Sequence, residues 1–207
     1  MEDLRKNVLL YLRFGGFLLI WVAILKITQT DLRFYWDAIK KIPDVLTVYV
    51  IIELIFVYWA WRWPIFYGWL VPFPDLQGTW KGELKSSWIN PETNQPQQPI
   101  SVTLTIKQTF YSIICNIYTK ESSSHSTIAQ ITKDKSDGLL KLNYNYTNRS
   151  QAIIRERSPI HDGAAILNIR LGSQNNLQGE YWTSRRTTGD ISLLFYSKEI
   201  MEGFIEK

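Results

Sequence analysis

The chain of 207 residues holds one cysteine, Cys115, and two histidines, His125 and His161. A single thiol excludes a disulfide within the chain, and with no cationic context around it Cys115 reads as a buried structural residue on a strand. There is no His-Glu-x-x-His, no Cys-x-x-Cys, no Gly-x-Ser-x-Gly, no Walker loop and no Gly-x-Gly-x-x-Gly. A hydrolytic enzyme therefore has no constellation to stand on. Neither a metal site nor a cofactor nor any catalytic residue is expected, and the two histidines read as surface or rim positions.

Charge is scarce in the first third of the chain. Residues 8–27 run Val-Leu-Leu-Tyr-Leu-Arg-Phe-Gly-Gly-Phe-Leu-Leu-Ile-Trp-Val-Ala-Ile-Leu-Lys-Ile, with Arg13 and Lys26 breaking an apolar run of bilayer length. Residues 45–63 form a second such run with Glu53 near its middle. The reading is two transmembrane helices, about 8–27 and 45–63. Between them Thr30–Ile42 carries Leu32, Tyr35, Ile39 and Ile42 at helical spacing and reads as an interfacial connector, or else as an extension of the first span. Glu53 in a span is a candidate functional group: protonated in a helix–helix contact, paired with Arg13, or lining an opening in an oligomer. Trp59, Trp61, Trp63, Tyr67 and Trp69 form an aromatic belt at the exit, and Pro64, Pro72 and Pro74 stiffen the linker. Loop charges lean toward a cytoplasmic C-terminal domain, and with it a multi-pass inner-membrane location.

From Leu76 the composition changes to Ser, Thr, Asn and Gln with alternating apolar residues. In Gly78–Trp88, Trp80, Gly82, Leu84, Ser86 and Trp88 share one face of a strand and Thr79, Lys81, Glu83, Lys85 and Ser87 the other. Strands are expected at about 78–88, 100–108, 111–120, 125–132, 138–147, 163–170, 177–184 and 189–197, with turn residues between them. Eight sequential strands without an intervening helix predict an antiparallel, lipocalin-like β-barrel over residues 74–207, following a membrane α-hairpin over 1–73. A sandwich is the alternative.

An eight-stranded barrel is either plugged by its side chains or holds one small ligand. Several inward-phase strands end in polar or aromatic residues: Trp88, Gln108, Tyr144 and Tyr146, then Tyr181, Thr183 and Arg185. Arg185 and Arg186, flanked by hydroxyl side chains, suit phosphate groups, and the aromatics suit stacked bases. Arg185 packed on the Trp of the first strand to close the barrel is the structural alternative. The candidate ligand contacts are Trp88, Gln108, Tyr144, Tyr181, Thr183, Arg185 and Arg186; Arg13 and Glu53 are the candidates for a membrane or oligomer step. The formal net charge of +4 suits an anionic ligand or a lipid surface.

The layout resembles the SMODS-associated two-transmembrane β-strand-rich effectors of bacterial cyclic-oligonucleotide-based anti-phage signalling. The likeness rests on Pro74-Asp-Leu-Gln-Gly-Thr-Trp-Lys-Gly82, Ile106-Lys-Gln-Thr-Phe110, the Ser122–Ser126 run, Leu142-Asn-Tyr-Asn-Tyr146 and Gly179-Glu-Tyr-Trp-Thr-Ser-Arg185, in that order. The resemblance implies a barrel that binds a cyclic di- or oligonucleotide made by a nucleotidyltransferase. It implies homo-oligomer formation on activation, and disruption of the inner membrane with arrest or death of the infected cell. DNA and RNA polymers are not expected partners. The alternatives are a membrane-tethered carrier of a lipid or apolar molecule, and an assembly subunit whose plugged barrel binds a protein.

Overall fold

The structure is a computed structural model that describes residues 2–30, 35–89, 94–172 and 175–206. It divides into two compact units, Met1–Pro72 and Phe73–Lys207.

The first unit is helical: α1 (Glu2–Ile27), α2 (Tyr35–Lys40) and α3 (Ile42–Tyr58), followed by 3-10 turns at Ala60–Arg62 and Pro64–Phe66. Of the expected connector, Leu32 and Phe34 lie outside the described residues. The two expected spans are corrected here. Among the described residues no helix is long and apolar enough to cross a membrane. The run over 45–63 is not one helix. It stops at Tyr58, where Trp59 takes φ −133° while its N–H still donates to Ile55 O. The 17 residues of α3 make about 25 Å at 1.5 Å per residue, short of a hydrocarbon core of about 30 Å. In α1 the apolar run is diluted by Arg13 and the Gly15–Gly16 pair. The multi-pass inner-membrane placement rested on these two spans and falls with them. Arg13 and Glu53 meet: Arg13 Nη2 lies 2.7 Å from Glu53 Oε1. Trp61 of the expected aromatic belt is buried, with Arg62 stacked over its ring, whereas Trp59, Trp63 and Trp69 are exposed. So are Leu46, Val50, Ile51, Ile52, Leu54 and Ile55 of α3.

The second unit is a closed antiparallel barrel of eight strands in sequence order: β1 (Gly78–Ser86), β2 (Ile100–Gln108), β3 (Ile113–Tyr118), β4 (Ser122–Lys133), β5 (Leu140–Ser150), β6 (His161–Arg170), β7 (Asn176–Thr183) and β8 (Thr188–Ser197). β1 pairs with β8, setting Trp80 opposite Phe195 and Leu84 opposite Ile191. Because side chains alternate across a strand, every second residue of all eight strands meets in one interior. At the end where β1 begins, that interior is filled by Trp80, Leu104, Ile106, Leu142, Leu167, Leu177 and Leu193, none more than 1% exposed. Burying each such aliphatic chain contributes about 1.5–3 kcal/mol. Trp80 Nε1 donates to Leu76 O at 3.0 Å, and its ring meets Phe195 edge to face. Gln108 closes this end: its Oε1 accepts from Leu76 N at 2.7 Å and its Nε2 donates to Pro74 O at 3.0 Å. The entering chain is thereby tied to the last turn of β2.

Thr79, Thr103 and Thr105 point outward yet are 0% exposed. The segment 198–206 runs back over them. Thr79 Oγ1 donates to Glu199 O and accepts from Met201 N, and Thr103 Oγ1 accepts from Ile205 N. Lys107 pairs with Glu202, and Lys198 with Asp75. Threonine is the apt residue here, β-branched for the strand and carrying one hydroxyl that serves both the donor and the acceptor of the crossing chain. Thr79→Val keeps the shape but strands a buried carbonyl and N–H. It should cost about 2 kcal/mol, lowering the thermal midpoint of the barrel by roughly 5–10 °C in a melting experiment.

Candidate functional site at the barrel mouth

The other end of the barrel, where β1, β3, β5 and β7 finish, has a different lining. Register places Ser124 opposite Asn148, Ser126 opposite Tyr146, Asn148 opposite His161 and Gly163 opposite Thr183. The upper interior is therefore polar and aromatic where the lower interior is aliphatic. Ser126 Oγ accepts the Cys115 backbone N–H at 2.9 Å, in place of a strand carbonyl. Ser124 is buried.

Two tyrosines form the walls. A Cβ on Gly163 would lie 2.5 Å from Tyr146 Cζ and Oη, and one on Gly189 would lie 2.7 Å from Tyr181 Cε1. Each ring lies against the bare backbone of a neighbouring strand. A Cβ at either position would also meet neighbouring backbone, Trp182 O at 2.7 Å from position 163 and Lys85 O at 2.2 Å from position 189. Burial pushes the Tyr146 phenol up to about 12, with Tyr181 adding to the rise and the Arg185 guanidinium opposing it. The Tyr146 phenol therefore stays a protonated donor.

Arg185 stands on the β7–β8 turn. Thr183 N donates to Thr187 O at 2.9 Å, Arg186 N donates to Thr183 O at 3.0 Å, and the two threonine hydroxyls meet at 2.6 Å. Arg186 takes φ 63° at the exposed tip. Arg185 Nη1 donates to Ser158 Oγ at 3.3 Å, and Ser150 Oγ donates to the same hydroxyl at 3.0 Å. Arg155 Nη2 donates to Ser150 O at 3.3 Å. His161 Nδ1 lies 2.9 Å from Pro159 O. A carbonyl only accepts, so Nδ1 carries the proton and Nε2 presents a lone pair. Burial, with the Arg185 charge adding to it, holds the imidazole below its ordinary range against the opposing pull of Pro159 O and Asp162. Arg149, Arg155, Arg157, Arg185 and Arg186 all belong to this end and Arg170 to the other. The mouth thus combines cations, tyrosine rings and neutral hydrogen-bonding groups, the equipment for an anion with flat apolar parts.

An open depression of about 640 Å³ lies on the barrel wall nearby, lined by Thr127, Asn145, Thr147, Asp162, Ala164 and Trp182 among others. Its one charged group is Asp162, whose Oδ1 accepts from Thr147. It offers an anion no cation, and the mouth is the better candidate.

Of the expected contacts, Tyr181, Thr183 and Arg185 come together at the mouth. Trp88 lies just beyond the end of β1 on the same side, 41% exposed, with its backbone N–H on Ser86 Oγ. Gln108 is at the opposite end, its amide taken by the entering chain. Tyr144 lies one inward step below Tyr146, ring centroids 5.9 Å apart, and its buried hydroxyl has no partner. Ser124, Ser126, Asn148 and Arg155 were missed as site residues, and His161 was read only as a rim position. Ser122–Ser126 alternates with nothing apolar, and only pairing with β5 shows which serines face in.

Residues 71–194 match the family model described as Cap15, cyclic dinucleotide receptor domain. The match takes in every strand but the last residues of β8, and the chain belongs to this family. CD-NTase-associated protein 15 of Staphylococcus schleiferi is 26% identical over 180 residues, which cover 86% of this chain and 91% of that protein. Both findings agree with an effector of cyclic-nucleotide anti-phage signalling and leave the two spans unsupported.

His161 supplies a pH test. A histidine whose folded pKa lies below its unfolded 6.5 adds stability that is fully present above pH 6.5 and is lost as pH falls through the folded value. The wild-type thermal midpoint should therefore drop more between pH 7 and pH 5 than that of His161→Gln, read from melting curves at the two pH values.

Proposed function

We propose that this member of the Cap15 family binds a cyclic dinucleotide in the barrel mouth and acts as the effector of an anti-phage signalling system coupled to a nucleotidyltransferase. The observation that carries it is the convergence of Arg185, Tyr146, Tyr181 and His161 at the polar end of the barrel. Arg185, and Arg155 behind it, suit the phosphodiesters, which a guanidinium engages in bidentate fashion. Tyr146 and Tyr181 offer flat faces for the bases, each stack contributing about 1–3 kcal/mol. Ser124, Ser126, Asn148 and the His161 Nε2 can read base edges. Cys115 is buried with its thiol pushed far up, which suits a structural residue.

A receptor becomes an effector when ligand favours one state over another. The exposed apolar side chains of α3 form a surface of the kind that contacts another chain, and we assign to it self-association on activation, with the Arg13–Glu53 pair fixing the helices that present it. The domain organisation follows: a ligand-sensing barrel from about residue 74, and an N-terminal helical unit that answers it. The carrier alternative has less support, because Leu104, Ile106, Leu142 and Leu167 fill the lower barrel where an apolar cargo would sit.

The test is titration calorimetry of the full chain with a panel of cyclic dinucleotides. One of them should bind, and Arg185→Ala should weaken it about 10–100-fold, the effect of losing a charge-assisted hydrogen bond of roughly 1.5–3 kcal/mol. Unchanged affinity in Arg185→Ala would remove the mouth from the binding reading.

A further inference from the structure

The open depression on the barrel wall has the reverse chemistry of the mouth. Its floor is Ala164, which register sets between Asn145 on β5 and Trp182 on β7. One outward step toward the mouth end, Asp162 lies opposite Thr147, and its carbonyl accepts from Ser184 N. Alternate residues of a strand share a face, so the small Ala164 leaves low ground among an indole, an amide, two hydroxyls and a carboxylate. Trp182 is 43% exposed, although an indole is highly buried on average.

The hydroxyl donors here are already spent. Thr127 Oγ1 donates to Asn145 O at 3.3 Å, and Thr147 Oγ1 donates to Asp162 Oδ1 at 2.7 Å. A hydroxyl has one proton, so both offer only lone pairs to a newcomer. Among the described residues no lysine or arginine forms an ion pair with Asp162. The wall nearby adds charge of the same sign. Glu180, one outward step from Trp182, lies directly opposite Asp190 on β8. Like charges so placed repel, and a cation alongside would relieve both. Lys85, opposite Asp190 on β1, is the basic residue of that row.

Such a surface calls for a ligand with N–H donors, positive charge and a flat face. A guanidinium has all three: it stacks on an indole and pairs with a carboxylate in its own plane. An ammonium lacks the flat face, and a sugar lacks the charge. Ile128, opposite Asn145, and Ile166, the next outward residue of β6 after Ala164, are both exposed. They extend the patch past the reach of one small molecule and suit the residues that flank an arginine in an extended peptide.

We propose that the depression over Ala164 is a docking site for an arginine side chain of a partner polypeptide, its guanidinium lying on Trp182 and paired with Asp162. The site goes beyond nucleotide binding and does not rest on it.

The test follows the Trp182 indole N–H resonance of the full chain, identified by its loss in Trp182→Phe, during titration with acetyl-Ala-Arg-Ala-amide. The resonance should shift and saturate below about 10 mM. The lysine and citrulline versions of the peptide should bind at least about tenfold more weakly, since one lacks the plane and the other the charge. Asp162→Asn, which can still accept from Thr147, should weaken the arginine peptide about tenfold. Unchanged affinity in Asp162→Asn would remove the carboxylate pairing and the proposal with it. Equal binding of the three peptides, or no saturable shift with any, would overturn the site. Methylguanidinium binding as tightly as the arginine peptide would assign the depression to a free guanidinium compound and overturn the polypeptide partner.

Discussion

Closure is the constraint on which the rest depends. A strand in a closed barrel has neighbours on both edges, so its backbone groups are satisfied only if the first and last strands meet. Here β1 and β8 do so over eight residue pairs. Closure fixes the interior volume, and alternation fixes which residues must fill it. The lower half is filled with Trp80 and the leucines around it, and it is tied shut by Gln108 and by the chain returning over Thr79 and Thr103. The upper half receives serines, asparagine, histidine and tyrosines, which cannot close on one another as aliphatic chains do. A polar, aromatic lining at one end of a packed barrel follows from that division.

The two ends also differ in backbone. At the mouth, Gly163 and Gly189 let tyrosine rings lie against neighbouring strands, which widens the interior without removing a strand. The β7–β8 turn then projects Arg185 toward those rings, within electrostatic reach of both Tyr146 and His161. Ser126 faces the mouth, and its hydroxyl accepts the Cys115 N–H of β3.

The helical unit shows how composition can mislead. Residues 45–63 contain enough apolar and aromatic side chains for a span, but Trp59 leaves helical geometry and Pro64 opens a separate turn. Length along the sequence was not length along a helix. Burial of Trp61 and exposure of Trp59 and Trp63 follow from those turns, since 3-10 geometry reorients successive side chains in a way that a count of aromatics does not register.

Alternation in Gly78–Trp88 and in Ile100–Gln108, with turn residues spaced between later strands, determined the eight strands, their order and the barrel, because a period of two with short connections has few other solutions. The same alternation put Tyr181, Thr183 and Arg185 on one side of β7 and its turn. What it could not determine is which end of the barrel a residue occupies relative to residues on other strands. Gln108 and Arg185 share the inward phase yet lie at opposite ends, because strand direction reverses at each turn. The bulge in β4 shifts phase between Ser126 and Ile128, which no local pattern announces. Register across strands, set by side-chain packing over long sequence separations, decided the mouth and the place of His161.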